Sequence, residues 1–252
     1  MRLAQEGMKI VIASTNKEKL EKAAEEIKSA GAHTVLPIVC DVSKRDSVAN
    51  LHDEAEKALG PPDLLVCNSG VTTAGDFHDH REQDWAWVTD VVWNGVAYCI
   101  QLWYPEMIKR KHGHIVLIGS QAGMVPDWFT QHGPYTALKS AVMALGTGLR
   151  AEAVDHNVGI TNVIVAGVTT EIAQSSKGKR PEGYGDALVH NVGRRQTRRI
   201  PASDCAEIIV KGVSENKAWV ATHPDLKGVT SGYFDQILSA YDDHTIGLDK
   251  ND

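Results

Sequence analysis

A chain of 252 residues is long enough for one α/β domain with a substantial core. Its net charge of −6, with 23% charged residues, argues against a nucleic-acid-binding surface. The lack of any apolar run of 18 residues argues against a membrane-spanning helix.

The opening MRLAQEG carries no apolar signal region. It reads as the last turn of a helix that stops at Gly7. MKIVIAS is a strand, and Lys17 to Ala30 an amphipathic helix capped by Asn16, with Leu20, Ala23, Ala24 and Ile27 on one face. TVLPIVC is the next strand, with Pro37 pointing to an edge position or a bulge. Ser43 is predicted to cap a helix that runs to Leu59. DLLVCN is a buried strand, VTTAGDFHDHREQ a loop, and about 84–109 a long helix, broken near its start and loaded with Trp85, Trp87, Trp93 and Trp103. That aromatic load is core or subunit contact.

HIVLIGS is a strand, and a helix follows from Tyr135 to Arg150. ITNVIVAG is a further strand, about 170–201 a polar substrate or lid loop, Ser203 the cap of a helix to Val213, and AWVAT the last strand. A helix near Tyr233 to Ala240 and a polar tail over 241–252 close the chain. Six strands alternating with helices predict a doubly wound parallel sheet of Rossmann-like type, in one domain over residues 1–252. The four cysteines, Cys40, Cys67, Cys99 and Cys205, lack metal-ligand spacing and read as reduced core thiols, which fits a cytoplasmic protein. His78, His80, His112, His114 and His132 read as surface or loop residues, so no metal is expected.

The chemistry concentrates between His114 and Arg150. Ser120 ends a strand, where open α/β sheets bind ligands. Tyr135 and Lys139 lie four apart, on one face of one helix. A tyrosine with a pKa near 10 is a poor acid or base at neutrality; a nearby ammonium stabilises its phenolate and brings it toward useful proton transfer. A serine hydroxyl then holds a carbonyl or alcohol oxygen in place.

This order of strand-serine, loop and Tyr-x-x-x-Lys helix resembles the short-chain dehydrogenase/reductase family, from Leu3 to about Ala240. The resemblance implies Ser120, Tyr135 and Lys139 as catalytic residues, a nicotinamide cofactor, a small-molecule substrate, and a homodimer or homotetramer. It also implies cofactor contacts from Asp41 and Val42, from Asn68, Ser69 and Gly70, from Gly167 and Thr170 within AGVTTEI, and again from Tyr135 and Lys139. Ser14 and Thr15 end the first visible strand. No acidic residue stands there to bind a ribose 2′-OH, and no arginine either, which favours NADP over NAD. Trp128, Phe129 and Tyr184 are candidate pocket walls for an apolar or aromatic substrate.

Two departures stand out. The family opens with a strand and a glycine-rich turn whose backbone cradles the pyrophosphate, and neither is present here. Without that strand the sheet splits and two edges lose their backbone partners. The sequence is then either part of a longer enzyme, the favoured explanation, or a short form that has left ordinary cofactor binding. Second, Val92 stands where relatives have an asparagine, with Asn94 two residues on. The predicted activity is interconversion of a carbonyl and a secondary alcohol. The alternatives are a cofactor-independent acid/base enzyme on the same scaffold, or a non-catalytic subunit.

Overall fold

The structure, a computed structural model, describes residues 1–178 and 198–242. The one-turn helix α1 (Arg2–Gln5) stops at Gly7, whose φ of 74° favours glycine. Strand β1 (Ile10–Ser14), helix α2 (Lys17–Ser29) and strand β2 (Val35–Val39) follow. Asn16 caps α2 by accepting from the Lys19 amide at 2.8 Å, and Leu20, Ala24 and Ile27 form its buried face. Pro37 lies on β2, which pairs only with β1 and is an edge strand, where proline is tolerated.

Helix α3 (Arg45–Leu59) begins after Lys44, without a side-chain cap. The expected cap, Ser43, instead donates through its amide and its hydroxyl to the Asp41 carboxylate, at 3.1 and 2.6 Å. The carboxylate two residues back closes a local turn ahead of the helix, whose N-cap falls one residue later, on Lys44.

Strand β3 (Leu64–Cys67) leads through a loop to α4 (Glu82–Val88) and α5 (Gly95–Arg110), joined by a π-helical stretch at Thr89–Asn94. Trp87 and Trp103 on these helices are buried. Then come β4 (His114–Ile118), α6 (Gln121–Met124), α7 (Gly133–Ala153) and β5 (Gly159–Ile164). After them come α8 (Ile172–Gly178), α9 (Ala202–Ser214) and β6 (Trp219–Ala221). Ser203 does not cap α9: Pro201 holds that position, and Ser203 bonds Asp204 from within the first turn. All four cysteines are free, and Cys40, Cys67 and Cys205 are buried. Among the described residues no helix is long and apolar enough to cross a membrane.

Among the described residues every strand pair is parallel, in two sheets: β1–β2, and β3–β4–β5–β6. The fold is Rossmann-like, and the break between β1 and β3 falls where the sequence lacks its first strand. On β4, Ile115, Val116 and Leu117 are at most 1% exposed, whereas Val66 on the open edge of β3 is 40% exposed. The sheets are tied by α3 against α5, where Val48, Leu51, Ala55 and Trp103 pack with Ile38 and Cys40, and Val11 and Leu65 border the cluster.

Residues 1–222 form one compact unit. A second begins at His223 and contains α10 (Lys227–Ser239), which carries exposed Phe234, Ile237 and Leu238. Most of the expected lid loop over 170–201, including Tyr184, Arg194 and Arg195, and most of the expected tail lie outside the described residues; the start of that loop is helix α8.

Candidate active site

Ser120 is 8% exposed just past β4, at the N-cap of α6, where its Oγ accepts from the Ala122 amide at 3.2 Å. Two glycines let α6 lie against α7. A Cβ on Gly119 would meet Met143 at 2.6 Å, and one on Gly123 would meet the backbone of Lys139 and Ser140 at 2.6 Å. Ser140 seals the contact by donating to the Gly123 carbonyl at 2.6 Å. The result brings the Ser120 hydroxyl close enough to the Tyr135 phenol to influence its titration.

Burial pushes the Tyr135 pKa up, and the Ser120 hydroxyl pulls against that shift. The Lys139 Nζ lies 5.8 Å from the Tyr135 ring centroid and donates to the Ile118 carbonyl at 2.6 Å. Burial lowers the pKa of this lysine to about 8, with Cys67 pulling it back up. The sequence made Lys139 the group that lowers the phenol's pKa. In this arrangement the ammonium points at a backbone carbonyl, and Ser120 is the neighbour that acts on the phenol.

The other predicted residues fall into two groups. Asn68 and Ser69 are exposed beyond β3, and a Cβ on Gly70 would stand 3.8 Å from the Lys139 Nζ, so this turn borders the lysine. Gly167 accepts from the Ile200 amide at 2.9 Å, and Thr170 is exposed just after it. Ser14 and Thr15 end β1, across the break from β3. Asp41 is held by Ser43, while Val42 packs so closely on the start of α5 that a Cβ on Gly95 would meet it at 2.9 Å. Val92 is fully buried in the core, and Asn94 donates to Asp90 at 2.8 Å. The helix is therefore distorted at this point, yet Asn94 spends its amide on a neighbour in the same helix.

Of the histidines read as surface or loop residues, His114 lies half-buried on β4, and His80 and His132 are loop residues that turn inward. His80 is buried, with Nδ1 3.0 Å from the Asp76 carbonyl and Nε2 3.1 Å from the Thr73 hydroxyl. His132 is half-buried, with Nδ1 2.9 Å from the Thr73 carbonyl and its ring 6.4 Å, edge to face, from Tyr135. Its place three residues before Tyr135 was the available signal. Asp76, His78 and Asp79 bring ligand atoms within 4.8 Å of one another, an exposed to half-exposed cluster of a kind common on surfaces without an ion.

The short chain dehydrogenase family model matches residues 1–181. The chain is 29% identical over 248 residues to the C alpha-dehydrogenase of Sphingobium sp. (strain NBRC 103272 / SYK-6), covering 94% of this chain and 79% of that protein. A short chain dehydrogenase/reductase from Burkholderia phymatum, solved in complex with NAD, superposes with a TM-score of 0.87 at 28% identity, over 95% of this chain and 88% of that one. A short-chain dehydrogenase from Sphingobium yanoikuyae, solved with NADPH, shares the fold at 17% identity, with a TM-score of 0.76 over 95% of this chain and 88% of that one. The chain belongs to the short-chain dehydrogenase/reductase family and is an oxidoreductase of that family.

Proposed function

We propose that this enzyme interconverts a carbonyl and a secondary alcohol on a small apolar or aromatic molecule, with NAD(P) as its redox partner. The convergence of Ser120, Tyr135 and Lys139 at the end of β4 carries this reading. A bound nicotinamide supplies or accepts the hydride. In the reducing direction Ser120 holds the carbonyl oxygen by a hydrogen bond, and the Tyr135 phenol gives that oxygen its proton. The ammonium of Lys139, charged at neutral pH, steadies the phenolate left behind. In the oxidising direction the phenolate takes the proton back.

The residues fit a dinucleotide in part. Gly70 borders Lys139, and the turn Asn68, Ser69 and Gly70 suits a nicotinamide ribose, while Gly167 and Thr170 suit the carboxamide. The similar Burkholderia protein binds NAD. The absence of an acidic group at Ser14 and Thr15 favours NADP. For the pyrophosphate, the described residues offer no glycine turn between β1 and β3. The second reading is acid/base chemistry by Ser120 and Tyr135 without a nucleotide.

Titration of the chain with NADPH and NADH, followed by nucleotide fluorescence, separates the two. Saturable binding and ketone-dependent oxidation of the nucleotide support the redox reading. A folded chain that binds neither nucleotide rules it out for this form and leaves the second.

A further inference from the structure

His132 has no part in the chemistry above, yet it stands at the N-cap of α7, three positions ahead of Tyr135, with its ring edge to face with the phenol at 6.4 Å. A carbonyl oxygen can only accept, so the contact of Nδ1 with the Thr73 carbonyl fixes the proton on Nδ1. Burial lowers the pKa of the ring, with the bond to the Thr73 carbonyl pulling against that shift and His80 adding to it, which favours the neutral imidazole. Its Nε2 therefore carries a lone pair. That atom has no protein partner among the described residues and is not sealed from solvent.

The ring cannot easily turn. Thr73 is held from its other side by His80 at 3.1 Å, and Thr72 reaches the same Nδ1 at 3.2 Å. The loop that carries both threonines is pinned to the segment before α7. Gly75 donates to the Gln131 carbonyl at 2.8 Å, and Gln131 donates to Asp76 at 2.9 Å. Thr72 also ties the loop to α8, its amide donating to the Ser176 hydroxyl oxygen at 3.0 Å. A fixed acceptor beside the reacting phenol is a recognition element, since a site built around one discriminates against ligands that leave it unpaired.

We propose that His132 is a specificity residue whose Nε2 accepts a hydrogen bond from a hydroxyl that the substrate carries beside its reacting carbonyl. The substrate class is then hydroxylated aryl or apolar ketones and the corresponding diols, in preference to plain ketones. This rests on the reading of the crevice as a carbonyl/alcohol site.

The test is direct binding to the full chain of two matched probes, 2-hydroxy-1-phenylethanone and acetophenone, followed by intrinsic tryptophan fluorescence. The wild type is expected to bind the hydroxyketone about tenfold more tightly. His132→Phe is expected to bind both equally. His132→Gln, whose side-chain carbonyl also accepts, is expected to regain part of the preference, which a merely structural role for the ring would not produce. Equal affinities in the wild type, no binding of either probe, or a preference that survives in His132→Phe would each overturn the proposal. So would ¹⁵N resonances that put the His132 proton on Nε2. Nucleotide oxidation measured with the same probes keeps the two readings apart. A His132-dependent preference without any redox turnover supports this inference and defeats the redox reading; turnover without the preference does the reverse.

Discussion

Strands β4 and β1 have the same length and nearly the same chemistry, HIVLI against IVIAS, and opposite fates. β4 has a strand on each side, and its three central residues are sealed from solvent. β1 has a partner only in β2, and none of its residues is buried. Burial of a parallel strand is set by its neighbours more than by its own apolar content. The consequence is functional as well. Ser120, Tyr135 and Lys139 all hang from the closed sheet, whereas Ser14 and Thr15, the residues expected at the nucleotide's adenosine end, hang from the open one.

The largest effect that can sharpen this contrast is chemical. Tyr135→Phe is expected to lower turnover by about a thousandfold while leaving the melting temperature within a degree or two, because only a hydroxyl at the end of the closed sheet is lost. Steady-state rates together with a thermal melt check both halves. Truncation in the core comes next. Leu117→Ala on β4 should cost about 3 kcal/mol in urea unfolding, and Ile12→Ala on β1 less than about 1.5 kcal/mol; equal losses would break the comparison. Amide hydrogen exchange offers a finer reading. The amides of β1 and β3 that face the break should exchange far faster than those of β4, and uniform protection would mean that the open edges are covered in solution.

A further effect concerns acid. His114, at the start of β4, donates from Nε2 to Thr161 at 2.8 Å, because the Thr161 hydroxyl is itself donated to the Lys217 carbonyl. Its Nδ1 lies against Gly159, and burial, helped by Arg150, lowers its pKa to about 4. The unfolded chain, with an ordinary value near 6.5, binds that proton more readily. Stability is therefore complete above about pH 6.5 and falls as the pH drops toward 4. His114→Gln should flatten the melting curve across that window.

Much of this was legible in the sequence. Apolar runs bounded by turns marked all six strands, and the helix cap at Asn16 and the edge placement of Pro37 follow from local chemistry. The convergence of Ser120 with Tyr135 was legible because strand-end and helix-face rules locate both. The caps assigned to Ser43 and Ser203 failed by register: the N-cap falls on Lys44, one residue after Ser43, and on Pro201, two residues before Ser203. The role of His132 was hidden because its partner, the Thr73 carbonyl, lies on a loop 59 residues away in the chain. Likewise, nothing in the composition of TDVVWN distinguishes a π-helical stretch from an ordinary turn of α-helix.

That stretch behaves as a one-residue insertion held inside a helix. Each residue of an α-helix advances its neighbours by about 100° around the axis, and a π-helical turn absorbs one extra residue without unwinding the rest. Deleting a single residue between Thr89 and Asn94 would restore a regular helix but rotate α4 against α5. Trp87 and Val88 would leave the core while Trp103 and Met107 stayed in it. The length of this segment is held constant along with the buried Val92: substitutions at its half-buried positions should be absorbed, and frame-preserving changes in length should not.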